Sequence, residues 1–130
     1  MSTEHAPRPG GHYSQGLVVN GDLIFVAGQT GIDPATGVLR PGGIGAQVTQ
    51  ALDNVEAILH AADGSLQGVV KASVFLASLT DFTAMDDVYR QRMQVPPSTR
   101  TTVGAQLPPG VLVEIDVIAV PDTPKEQKRG

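Results

Sequence analysis

The sequence predicts an α+β domain, a mixed β-sheet with two helices packed on one face, in the order β-β-α-β-α-β-β. Three observations predict it. Short β-branched and apolar runs alternate with two longer segments whose apolar residues recur every three or four positions. The pair Asn20-Gly21 separates the first two short runs, a strong local hairpin signal, because a type I′ turn needs φ > 0 at both central residues. Nearly all of the 10 prolines fall in tails or between the periodic segments, where a missing N–H costs no ladder bond.

Taken in order, residues 17–20 and 23–27 form the first hairpin, and residues 28–37 (GQTGIDPATG) a loop dense in turn formers. Ile44, Val48, Ala51, Leu52, Val55, Ile58, Leu59 and Ala62 trace one face of a helix over roughly 44–62, stopped near Gly64. Residues 69–76 (VVKASVFL) are β-branched and aromatic and read as a strand. Phe82, Met85, Tyr89 and Met93 repeat at helical spacing after Thr80-Asp81, which can cap the helix, and Val95-Pro96-Pro97 ends it. Residues 100–106 form a strand, Pro108-Pro109-Gly110 a turn, and residues 111–120 a long final strand that makes the second hairpin. Two helices cover only one face of such a sheet. The other face is rich in Val, Ile, Leu and Phe, so it predicts a homo-oligomer.

Composition narrows the chemistry. A chain of 130 residues predicts a single domain over 1–130, with its core at about 11–120 and frayed tails at 1–10 and 121–130. The absence of Cys removes disulfide scaffolds, thiolate metal sites and thiol nucleophiles together. His5, His12 and His60 lack metal-ligand spacing, so no metal is expected. Nine Lys+Arg against 13 Asp+Glu give a net charge of −4, a poor match to a nucleic-acid surface. With neither a signal-peptide pattern nor a long apolar run, the expected location is cytoplasmic, away from any membrane. The glycines before the first helix (Pro41-Gly-Gly-Ile-Gly-Ala46) match no nucleotide-binding spacing and read as a turn into the helix. Ser14 lacks the first glycine of a nucleophile elbow.

Carboxylates and an arginine remain. Glu114 and Asp116 lie in the most apolar strand, about 7 Å apart on one face with Leu112 and Ile118, while Val111, Val113, Ile115 and Val117 line the other. Such a pair marks either a solvated sheet face or a site. Arg100 opens a strand with no acid near it in sequence. Its guanidinium suits bidentate capture of a small carboxylate, or else a structural or intersubunit ion pair with Glu114 or Asp116.

Several segments together resemble one family. Gly11-His-Tyr-Ser-Gln-Gly16, Val26-Ala-Gly-Gln-Thr-Gly-Ile-Asp-Pro-Ala-Thr-Gly37, Ala51-Leu-Asp-Asn-Val55, Pro97-Ser-Thr-Arg-Thr-Thr-Val103 and Val113-Glu-Ile-Asp-Val-Ile-Ala119 occur in the order found in the RidA (YjgF) family. The resemblance runs from about residue 11 to 120. It implies a chorismate-mutase-like fold and a homotrimer whose sheets pack into a central barrel. It also implies intersubunit clefts that hydrolyse enamine/imine intermediates such as 2-aminoacrylate to 2-keto acids and ammonia, without metal or organic cofactor. By the same resemblance Arg100 binds the substrate carboxylate and Glu114 sits near the attacking water. Tyr13, Gly28, Ala27, Thr102 and Asp86 line the substrate pocket. Three positions depart from the common pattern: Ala27 replaces a Ser, Thr102 a Cys and Asp86 an Asn.

Overall fold

A computed structural model describes residues 4, 5, 9, 12 and 20–122. Among them the order is β1 (Ile24–Thr30), α1 (Gly43–Ala61), β2 (Val69–Leu76), α2 (Phe82–Arg92), β3 (Thr99–Gly104) and β4 (Val113–Ala119). The expected first strand at 17–20 lies outside the described residues. Gly21, in its turn, has φ 88°.

The helical and central-strand boundaries follow from apolar spacing. On α1, Val48, Ala51, Leu52, Val55 and Leu59 are fully buried, and on α2 Met85 and Tyr89 are. Asp81 is the N-cap of α2, though its side chain makes no capping bond. At the start of α1, Gly42 and Gly43 take φ 122° and 80°, backbone that L side chains rarely adopt, so the glycine cluster there is a turn.

The sheet runs β1-β4-β2-β3, with β4 antiparallel to both neighbours and β2 parallel to β3. Two expectations need correction. The last two strands do not form a hairpin, because β2 separates them. The β2–α2–β3 crossover places β3 at the edge, and residues 105–112 carry the chain back past β2. Ala105 N–H donates to Leu76 O (2.9 Å) and Ala77 N–H to Leu112 O (3.0 Å) along that path. The most apolar strand thereby gains a partner on both edges, the arrangement that satisfies every ladder group of a buried strand. Second, the turn-rich stretch after residue 27 is partly strand: Gln29 and Thr30 pair with Ile115 and Glu114.

The strand alternation is as expected. Val113, Ile115, Val117 and Ala119 are buried under the helices, and Glu114, Asp116 and Ile118 are half-buried on the opposite face. On that outer face Phe25 is 71% exposed and Val103 41%, flanking Ile118 and Phe75. No helix among the described residues is long and apolar enough to cross a membrane.

Candidate functional site

Arg100 and Glu114 do not meet within one chain. Arg100 pairs in register with Ala72 of β2 and faces the helices, whereas Glu114 pairs with Phe75 and faces away from them. The sheet itself separates guanidinium from carboxylate, and each group has its own surroundings.

On the helix side, α2 lies over β3 and brings Asp86, Phe82 and Tyr89 to Arg100. Arg100 Nη1 donates to Asp86 Oδ1 at 2.5 Å, and both side chains are buried, 1% and 7% exposed. Within the chain the acid that meets Arg100 among the described residues is Asp86, 14 residues away in sequence. The guanidinium carbon stands 4.8 Å from the centre of the Tyr89 ring and 5.5 Å from that of Phe82. These faces favour a cation and fix the plane of the fork. Arg90 donates from Nη2 to the second oxygen, Asp86 Oδ2, at 2.6 Å, with its own side chain 53% exposed.

Burial pushes the Asp86 pKa up, but hydrogen bonds and charge from Arg90 and Arg100 outweigh it and hold the carboxyl below its ordinary 3.8. A folded-state pKa below the unfolded one stabilises the fold above the ordinary carboxyl range, and that stabilisation is lost as pH falls through the folded value. Thermal melts followed by circular dichroism are expected to show an acid loss of stability below about pH 4 that is shallower in Asp86→Asn. Beside Arg100, the Tyr89 hydroxyl is buried and completes no hydrogen bond among the described residues. Burial raises its pKa, partly offset by the nearby Ser98 hydroxyl, which lies short of a formed hydrogen bond, and by the positive charge of Arg100. Thr102 lies two residues along the same face, and its Oγ1 is likewise buried without a partner.

On the opposite side, β1 bulges. Val26 pairs with Val117 and Gln29 with Ile115, so Ala27 and Gly28 together stand opposite Asp116 alone. The bulge turns exposed backbone toward Glu114. A Cβ at residue 28 would lie 2.6 Å from Glu114 Oε2 and 2.9 Å from Cδ, so the carboxylate rests against the glycine backbone. Ala27 is exposed on the same bulge, and its carbonyl accepts from Gln29 Nε2 (3.1 Å).

Beside it a groove of about 490 Å³ is lined by Gly28–Thr30, Ile32, Asn54 and Ile58, among others. Asn54 fixes its wall by donating from Nδ2 to Thr30 O (3.1 Å) and Ile32 O (2.9 Å). A second α1 amide, Gln47, binds the segment before β4: Nε2 donates to Gly110 O (3.0 Å), and Oε1 accepts from Leu112 N–H (2.9 Å).

Of the expected site residues, Gly28, Ala27 and Glu114 come together on the bulge side, and Arg100, Asp86 and Thr102 on the helix side. Tyr13 lies outside the described residues. Phe82 and Tyr89, which the sequence marks only as part of the apolar stripe of α2, and Arg90, which it does not mark, join the site around Arg100. Their signal was present in the α2 spacing, where the face bearing Asp86 lies beside the apolar stripe. Among the described residues no cluster of His or carboxylates could hold a metal ion.

Residues 3–121 match the family model described as endoribonuclease L-PSP. The chain is 46% identical over 121 residues to a 2-iminobutanoate/2-iminopropanoate deaminase of Capra hircus, covering 92% of this chain and 88% of that one. It is 43% identical over 118 residues to a RutC family protein of Pyrococcus horikoshii, covering 90% and 93%. The crystal structure of RidA from an Antarctic Psychrobacter superposes with a TM-score of 0.72 at 40% identity, over 91% of this chain and 95% of that one. With nearly its whole length matched in sequence and in fold, the chain belongs to the endoribonuclease L-PSP family, the RidA/YjgF family.

Proposed function

We propose that the protein hydrolyses small 2-imino acids and their enamine tautomers, of the 2-aminoacrylate type, to 2-keto acids and ammonia. The site is composite: Arg100 of one protomer and Glu114 of the next, in a homotrimer with a chorismate-mutase-like barrel of sheets. One observation carries this reading. Arg100 and Glu114 lie on opposite faces of one sheet, which supports a cleft that takes one group from each of two copies. The 2-iminobutanoate/2-iminopropanoate deaminase relatives give the reaction class. The apolar outer face, with Phe25, Phe75, Val103 and Ile118, gives the reason to assemble.

The chemistry asks little of the protein. The imine carbon is already electrophilic, so catalysis consists of holding the carboxylate at Arg100 and placing water at that carbon. Glu114 accepts a proton as the water oxygen bonds to the imine carbon, giving a carbinolamine; with a proton delivered to its nitrogen, the C–N bond breaks as the hydroxyl loses its proton and the keto C=O forms, releasing ammonia. Backbone at the Ala27–Gly28 bulge contacts the substrate beside Glu114. Thr102 Oγ1, buried near Arg100 without a partner among the described residues, is available for a polar contact there. Cleavage of nucleic acid is less well supported. Arg40 and Arg92 pair with Asp53, and Arg90 pairs with Asp86, which leaves a poor track for a phosphate backbone among the described residues.

The test is a coupled assay in which 2-aminoacrylate is generated and pyruvate formation followed. Wild type is expected to accelerate it, and Arg100→Ala to lose at least about 100-fold of that rate through loss of a charge-assisted contact. No acceleration by wild type would sink the activity, and equal acceleration by Arg100→Ala would sink the assignment of Arg100. Light scattering should give a particle of three times the 13.5 kDa chain.

A further inference from the structure

Arg90, Asp86 and Arg100 form a line of alternating charge from solvent to interior. Both oxygens of Asp86 are engaged, Oδ1 by Arg100 and Oδ2 by Arg90. The inner pair is screened little by water, since Asp86 and Arg100 side chains are 7% and 1% exposed, whereas Arg90 is half in solvent and its charge is diluted there. An anion approaching Arg100 therefore meets a nearly neutral buried pair, with the compensating positive charge displaced outward.

We infer that Asp86 is a specificity-setting residue that acts through Arg100, reducing the preference of the site for a carboxylate over a neutral amide head-group. This inference rests on the reading that Arg100 receives the substrate carboxylate. It goes beyond that reading by giving Asp86 a role distinct from contact with substrate. A purely structural role, in which Asp86 only anchors the fork, makes the opposite prediction: any loss at Asp86 would weaken acid and amide alike.

Two variants separate these roles by sign. Asp86→Asn keeps size and an acceptor for Arg100 while removing the charge, and exposed Arg90 can turn to water. Arg90→Gln removes the outer cation and leaves the Asp86 charge to Arg100 alone. The measurement is calorimetric titration of the intact oligomer with 2-ketobutyrate and, separately, with 2-oxobutanamide. Asp86→Asn is expected to bind the acid about tenfold more tightly and the amide unchanged. Arg90→Gln is expected to bind the acid about threefold more weakly, again with the amide unchanged. Unchanged or weaker acid binding by Asp86→Asn, or tighter acid binding by Arg90→Gln, would overturn the inference. Arg100→Gln separates this failure from that of the underlying reading. If it retains wild-type affinity for 2-ketobutyrate, both fail. If it loses that affinity while Asp86→Asn does not tighten, only the role of Asp86 fails.

Discussion

Arg100→Ala and Glu114→Gln, each inactive alone, are expected to recover activity when unfolded together in equal amounts and reassembled. The reason is the opposed facing of the two side chains. If each cleft takes its guanidinium from one protomer and its carboxylate from the next, random mixing leaves about a quarter of the clefts with both groups intact. The 2-aminoacrylate assay should then return about a quarter of wild-type turnover, set against near-background rates for either variant reassembled by itself. Native mass spectrometry on tagged subunits would establish that mixed oligomers had formed. Mixed oligomers without recovery would show that the groups do not combine across subunits. The experiment also bears on fold stability, because Arg100→Ala leaves buried Asp86 still paired with Arg90, a milder loss than an isolated buried charge.

Gly28→Ala is expected to remove most activity at small cost in stability. Glycine is needed here for proximity, since the added Cβ would come within 2.6 Å of Glu114 Oε2. The atom in the way is the far end of a flexible side chain on the half-open face, so the sheet survives and the carboxylate moves. A displacement near 1 Å at a water-placing group costs on the order of 100-fold in rate. The expected signature is kcat reduced by about that factor with a melting temperature within a few degrees of wild type. A variant of full activity would show that the contact between Gly28 and Glu114 does not matter to the reaction. A variant that fails to fold would show that the glycine serves the bulge instead.

Much of this architecture was legible in the chain, and the illegible parts share a cause. The helices announced themselves because α1 must bury Val48, Leu52, Val55 and Leu59 along one stripe. Strict alternation in β4 likewise gave the correct sides of Glu114 and Ile115. Strand neighbours were less accessible. Pro108-Pro109-Gly110 says that the chain turns, but not that β2 already occupies the place beside β3. The partner of Arg100 was hidden for the same reason: Asp86 reaches it only because α2 is laid over β3 by the crossover. The approach of Gly28 to Glu114 depends on a one-residue slip in the β1–β4 register. Local periodicity fixes which way a side chain faces; packing between elements decides what it faces.

Gln47 has a consequence for how this chain can change in length. Its amide serves as a surrogate strand partner, taking Leu112 N–H at one end and giving its own N–H to Gly110 O at the other. Residues 110–112 are thereby measured against a fixed point on α1, whereas the Pro108-Pro109 side of Gly110 is exposed. Insertions or deletions are tolerable before Gly110, where loop closure costs little. Between Gly110 and Leu112 a single added residue would shift β4 by one position and exchange its two faces, turning Glu114 into the core and Ile115 out of it.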